Sequence, residues 1–69
     1  MAKIIRKETI NGVSTTTIER QFTSLALAQA AFSVLRKTMA NKEGYHLDGS
    51  YKFSITQDEQ KHTYYITSK

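Results

Sequence analysis

The clearest pattern in the chain is an apolar face that repeats with a helical period between Phe22 and Gly44. On a helical wheel this segment divides into an apolar half and a half of small or polar residues. The division predicts a helix over about residues 24–43 that lies across a sheet. The apolar half consists of Leu25, Leu27, Ala28, Ala31, Phe32, Val34, Leu35 and Met39.

Signals for helix ends stand at both limits of this segment. Thr23 or Ser24 can cap the first turn with a hydroxyl group. At the other end, Arg36 and Lys37 favour the negative pole of the helix dipole. Gly44 can adopt the left-handed conformation that ends many helices. We therefore expect the helix to begin near Ser24 and to end close to Gly44.

The chain before the helix has the composition of a β-hairpin. Runs rich in β-branched residues extend over residues 2–10 and 13–22. The dipeptide Asn11-Gly12 separates them, and Asn-Gly between two such runs is the strongest short-range hairpin signal. The pattern therefore predicts two antiparallel strands joined by a tight turn.

Two registers are compatible with this hairpin. A two-residue turn pairs Ile5 with Ile18, and it sets the cations Lys3 and Arg20 opposite each other, which is unfavourable. A three-residue loop with a bulge pairs Ile4 with Ile18 instead. The sequence leaves both registers open.

Either register makes the same prediction for the core. Ile18 and Phe22 share one strand face, so we expect both to pack against the helix. One of Ile4 and Ile5 joins them, and the other points away from the helix. That second isoleucine is the first sign of an apolar contact outside the core.

The chain after the helix alternates like a second hairpin. Tyr51, Phe53 and Ile55 alternate with polar residues and predict a half-buried strand over about residues 50–57. A polar turn follows, and a last strand is expected over about residues 61–67. The glycine-bounded segment between the helix and this hairpin reads as a connector. The predicted order is two strands, one helix and two strands (ββαββ).

This order predicts an α+β fold of two layers, with the helix packed on one face of a four-stranded sheet. If the hairpins meet through their first and last strands, the strand order is 2-1-4-3 and the sheet is mixed. An all-antiparallel sheet is the alternative. The mixed arrangement resembles, in topology alone, the small immunoglobulin-binding domains of bacterial surface proteins. No sequence motif accompanies the resemblance, so it implies no function.

Composition limits the class of protein. Residues 1–69 suffice for one domain. The chain lacks cysteine, so it has neither disulfides nor thiolate metal sites. It has no signal peptide pattern and no apolar run long enough to cross a membrane, so we expect a cytoplasmic protein. The net charge of +4 and the pI near 9.6 permit an anionic partner.

Catalytic chemistry has little support in the sequence. His46 and Asp48 could begin an acid–base pair, but catalysis needs a third, orienting group. His46, Asp48 and His62 have no recognised metal-ligand spacing, and phosphate-binding glycine motifs are absent. The sequence therefore predicts a protein without enzymatic activity and without a cofactor.

The leading functional hypothesis is a small module that binds protein or associates with itself through the sheet face opposite the helix. Aromatic residues are enriched at such interfaces. A symmetric homodimer also buries surface that a chain of this size leaves exposed. The candidate interface residues are Ile4, Thr15, Thr17 and Tyr65.

The alternative hypothesis is a nucleic-acid-binding module that uses the basic first hairpin. Cations and an aromatic residue on an open sheet face form a platform for single-stranded bases. The candidate contact residues are Lys3, Arg6, Lys7, Arg20 and Lys52.

Overall fold

A computed structural model describes residues 1–68, which form five strands and one helix. The five strands make one sheet in the order β2-β1-β5-β4-β3, and every neighbouring pair is antiparallel. The helix packs on one face, called the helix side below, and the opposite face is called the outer face. The elements are β1 (Ala2–Ile10), β2 (Val13–Phe22), α1 (Leu25–Met39), β3 (Tyr45–Leu47), β4 (Lys52–Gln57) and β5 (Gln60–Thr67).

The predicted α+β class with a helix on a sheet is confirmed, whereas the predicted number of strands is wrong. The four predicted strands keep their expected neighbours, and β3 adds a fifth strand at the far edge. The favoured mixed sheet is also wrong, because β1 and β5 are antiparallel. Since β3 inserts one more chain reversal after the helix, the last strand runs opposite to its predicted direction.

The helix is shorter than the sequence predicts. Its start is confirmed, because the Ser24 side chain accepts a hydrogen bond of 3.2 Å from the Leu27 N–H. It ends at Met39, and Gly44 lies beyond it, at the entry to β3. There the Gly44 carbonyl accepts a hydrogen bond of 3.1 Å from the Thr56 N–H. Gly44 therefore serves strand pairing rather than the end of the helix.

The hairpin turn follows the two-residue register near its tip. Asn11 and Gly12 have φ values of 51° and 82°, as a type I′ turn requires. Ile5 pairs with Ile18, as this register predicts. Farther along, however, Ile4 pairs with Arg20, so the pairing shifts by one residue. The shift is a β-bulge.

The bulge changes which side chains reach the core. Glu19 is the extra residue, and it places Ile18 and Phe22 on opposite faces of the sheet. Phe22 packs against the core, whereas Ile18 lies on the outer face with 47% of its surface exposed. The prediction that Ile18 belongs to the core is wrong. The bulge also sets Lys3 opposite Gln21, so the unfavourable pair of cations does not form.

The core lies between α1 and the middle of the sheet. Phe53 is its centre, stacked on Tyr64 at 5.0 Å and tilted against Phe32 at 5.4 Å between ring centroids. Ile4 and Ile55 complete the fully buried cluster. Of β2, only Phe22 is even partly buried. The core therefore ties α1 to β1, β4 and β5, and it leaves β2 as an exposed edge.

Candidate nucleic-acid interface

The outer face of the sheet is built from the residues that alternate with the core positions. In β1 these are the odd-numbered residues from Lys3 to Thr9, because Ile4 points into the core. Ile5 lies between its neighbours Ile18 and Tyr65 on the adjacent strands. These neighbours cover Ile5, which is 7% exposed although no helix lies over it.

Among residues 1–68, four lysines point from this face. Lys3 and Lys7 come from β1, Lys61 from β5 and Lys52 from β4. Lys3 and Lys7 share the outward parity of Ile5, and Lys52 pairs with the outward Tyr65. Lys61 pairs with the outward Thr9. The cations therefore come from three adjacent strands.

A shallow groove of about 400 Å³ connects three of these lysines. Lys7, Lys52 and Lys61 line it together with the Tyr65 ring. Ser54 and Thr63 also line the groove, and their hydroxyl groups can donate hydrogen bonds to an anion. The remaining lining residues are Asp48 and Phe53.

The carboxylates of the strands lie on the other side of the sheet. Glu8 and Glu19, the acidic residues of the described strands, share the helix side with Arg6. Arg6 Nε lies 3.1 Å from Glu8 Oε1, and Arg6 Nη1 lies 3.6 Å from Glu19 Oε2. His62 Nδ1 approaches the same Glu8 oxygen at 3.7 Å. Acidic side chains of the strands therefore do not neutralise the outward lysines.

This cluster holds Arg6 as a cation. Partial burial by itself lowers the pKa of Arg6. The Glu19 carboxylate, a hydrogen bond with Tyr64 and the Glu8 carboxylate outweigh that effect, so the pKa of Arg6 is raised overall. Arg6 is therefore occupied within the fold and lies on the face opposite the four lysines.

Acidic residues do border the outer face. Asp48, in the turn after β3, approaches Lys52 at 3.7 Å. Both side chains are more than half exposed, so the pair is worth at most about 1 kcal/mol. Asp58 and Glu59 occupy the turn between β4 and β5, beyond Lys61. Acidic side chains therefore lie at two places along the border of the outer face: in the turn after β3 and in the turn between β4 and β5.

The residues predicted to contact nucleic acid lie on both faces of the sheet. Lys3, Lys7 and Lys52 lie together on the outer face, whereas Arg6 lies on the helix side. Arg20 also lies on the helix side, with its guanidinium 5.0 Å from the centroid of the Phe22 ring. The basic first hairpin therefore presents cations on both faces of the sheet, and its two arginines contact other side chains of the same chain.

The residues predicted to form a protein interface do not share one face of the sheet either. Ile4 is in the core with 2% of its surface exposed, so it is not on the outer face. Thr15 and Thr17 pair with Glu8 and Arg6, which places them on the helix side of β2. Tyr65 lies on the outer face and is half-buried. The bulge at β2 is the reason that Thr15 and Thr17 lie on the helix side, because it reverses the facing of every residue from Val13 to Ile18 relative to Phe22.

One cation of this face, Lys61, is not among the residues predicted to contact nucleic acid, although it is the first residue of the predicted last strand. In the structure β5 begins one residue earlier, at Gln60. The alternation of Lys61 with Thr63 and Tyr65 was the available signal, since residues two positions apart share a strand face. The structure extends that alternation through Lys61.

The two histidines considered for metal binding lie on opposite faces of the sheet. His46 points outward from β3, where it pairs with Ser54, and His62 contacts Glu8 on the helix side. Residues 1–68 contain no cluster of three side chains suited to hold a metal ion. Within the same range, no helix has the length and apolar character needed to cross a membrane.

Comparison with known proteins does not assign this chain to a family. No protein-family model matches it, and no curated protein or solved structure matches it significantly.

Proposed function

We propose that this protein binds single-stranded nucleic acid on the outer face of its sheet. The observation that carries the proposal is the separation of charge across the sheet. Glu8 and Glu19 are paired with Arg6 on the helix side. Four lysines stand on the other side, and one of them, Lys52, has an exposed carboxylate partner. A polyanion that lies across the outer face therefore contacts lysines, and the carboxylates of the strands, which are on the other side of the sheet, do not repel it.

The spacing of the lysines suits an extended strand. Lys3 and Lys7 are four residues apart on β1, a distance of about 13 Å. Lys52 and Lys61 extend the area across β5 and β4, which lie about 10 Å from β1 at the farthest. Lysine stems are flexible, so these ammonium groups can follow a phosphate backbone without fixed register.

Tyr65 provides the surface for a base. Its ring is half-buried between Ile5 and Lys52, in the groove that three lysines share. Stacking on an aromatic ring tolerates every base, and it contributes about 1–3 kcal/mol per base. Because there is one tyrosine and several lysines, we expect binding with little sequence preference.

The shape of the face favours a single strand over a duplex. Reading a duplex requires an element that enters a groove, such as a helix or a two-stranded ribbon. Here the outer face is an open sheet, and α1 lies on the opposite side. Unpaired bases can reach Tyr65, whereas bases within a duplex cannot.

Titration of a labelled oligonucleotide, followed by fluorescence anisotropy, tests this proposal. We expect the single strand to bind more tightly than the duplex of the same sequence. With four phosphate contacts, log Kd should rise with log salt with a slope of about 3. Lys7→Ala should weaken binding and reduce this slope by about 0.7.

Lys37→Ala is the matched control, because Lys37 is exposed on α1 and carries the same charge. It should leave the slope near that of the wild type. Absence of binding at low salt would exclude the proposal. Equal effects of the two variants would show that net charge, not the outer face, attracts the oligonucleotide.

A further inference from the structure

The edge strand β2 has one side without a partner in the described chain. It pairs with β1 alone and stands at the end of the sheet order. It has ten residues, and the nine from Val13 to Gln21 are exposed. The opposite edge, β3, has three residues. A long exposed edge offers a row of free backbone groups to another strand.

The first part of β2 lacks the usual protections of such an edge. Val13–Ile18 has the sequence VSTTTI, without charge and without proline. The bulge that could turn an edge away begins after it, at Glu19. β-Branched residues fill most of the segment and favour the extended conformation. These features indicate that the segment pairs with another strand.

We propose that β2 pairs antiparallel with β2 of a second copy of this chain, about a two-fold axis at Thr16. Regular pairing of β2 with β1 extends from Val13 to Ile18, and Thr16 lies at the centre of the segment from Val13 to the bulge residue Glu19. Pairing about this residue keeps matching faces together along the segment. Thr15 then lies opposite Thr17 of the second copy, and Val13 lies opposite Glu19 of the second copy.

Exposed apolar residues support a second copy as the partner. A groove of about 270 Å³ lies between α1 and β2, with Glu19, Arg20 and Val34 in its lining. Val34 is 66% exposed, and Val13 at the hairpin tip is 68% exposed. The proposed pairing brings Val13 of the second copy next to Glu19, at this groove. The symmetry repeats the contact, so both valines of both copies lose exposed surface.

The pairing also avoids charge repulsion, although the chain has a net charge of +4. The paired segment carries Glu19 as its only charged residue in each copy, and the residue opposite is Val13. The axis stands perpendicular to the sheet, so both helices lie on one side. The two outer faces then form one continuous surface. This association does not depend on nucleic-acid binding.

Sedimentation velocity of the free protein over a wide range of concentration tests the proposal. We expect a reversible dimer. Thr16→Lys and Thr16→Glu each place like charges across the axis, and each should weaken self-association about two- to fivefold. Because lysine and glutamate attract each other, an equimolar mixture of the two variants should restore the dimer.

The same two substitutions at Thr56 are the matched control. Thr56 is exposed on the outer face of β4, and like Thr16 it pairs with a lysine of the neighbouring strand. Thr56→Lys and Thr56→Glu should leave the dimer unchanged. Val34→Ser, a change at a mostly exposed side chain of α1, should weaken the dimer without disturbing the fold, which circular dichroism checks.

Three results would overturn the proposal. One is a wild-type protein that stays monomeric at every concentration. Another is a Thr16→Lys variant that dimerises like the wild type. The third is a mixture of the two Thr16 variants that stays monomeric, since this would exclude the axis at Thr16.

Discussion

Gly12 and Gly44 have nearly the same backbone conformation but different surroundings. Their φ values are 82° and 79°, in the region that side chains disfavour. A Cβ atom at Gly12 would meet open space, whereas one at Gly44 would collide with the carbonyl oxygen of Thr56. Substitution of Gly12 therefore reports the free-energy cost of the backbone conformation alone, whereas substitution of Gly44 adds the cost of a steric clash.

We expect Gly12→Ala to lower the free energy of unfolding by about 1 kcal/mol, because alanine disfavours this conformation. Gly44→Ala should cost about 2 kcal/mol more, since the strands β3 and β4 must separate to make room. Urea denaturation followed by circular dichroism measures both. Equal losses would show that Gly44 is not needed for the pairing of β3 with β4.

Substitutions at Tyr65 distinguish base stacking from electrostatic attraction between the lysines and the phosphates. Tyr65→Phe keeps the ring, so we expect oligonucleotide affinity close to that of the wild type. Tyr65→Leu keeps an apolar side chain without a ring, and it should weaken binding about fivefold or more, the loss of at least about 1 kcal/mol of stacking. Fluorescence anisotropy measures the two affinities. If Tyr65→Leu binds like the wild type, the ring does not contact a base.

At the scale of the elements, α1 is held to the sheet by few side chains. Ala28 and Phe32 are its fully buried residues, and Phe32 packs against Phe53 and Tyr51. Leu27 and Val34 belong to the apolar half of the wheel, yet they are 54% and 66% exposed. The apolar half is therefore wider than the surface that the sheet covers.

Phe32→Ala should remove about 3–5 kcal/mol from the free energy of unfolding. A domain of this size has a total stability of the same order, so we expect this variant to be largely unfolded at 25 °C. Leu27→Ala, at a half-exposed site of the same helix, should cost about 1 kcal/mol or less. Thermal unfolding by circular dichroism compares them. A well-folded Phe32→Ala protein would contradict the position of the core.

The elements also show where pattern analysis succeeds. The helix and the first hairpin follow from local signals: the apolar period, the Ser24 cap and the Asn11-Gly12 turn. Strand β3 escaped prediction because three residues are too few for an alternation to be recognised. Its pairing with β4 depends on the close approach of Gly44 to Thr56, which is a contact between distant parts of the chain.

At the scale of the whole molecule, the separation of charge arises from strand parity. Parity places Glu8 and Arg6 on the helix side of β1, and Glu19 lies on the same side because it has the parity of Thr17, which pairs with Arg6. The bulge acts on the residues that follow Glu19, and it sets Arg20 opposite Ile4 on the helix side instead of opposite Lys3. The candidate binding face therefore depends on the alternation of residues in all the strands that meet there, and the bulge removes Arg20 from it.

Local patterns in the sequence are sufficient to predict the class of fold and the places of the helix and of the first hairpin. These follow from the period of apolar residues, from turn chemistry and from composition, all of which act over a few residues. The direction of the last strand, the burial of Ile4 and the outward position of Ile18 depend instead on tertiary contacts. These features escape local patterns because packing between distant segments sets both the bulge and the short fifth strand. The bulge reverses the facing of the residues on its two sides, and the fifth strand reverses the direction of the strands that follow it.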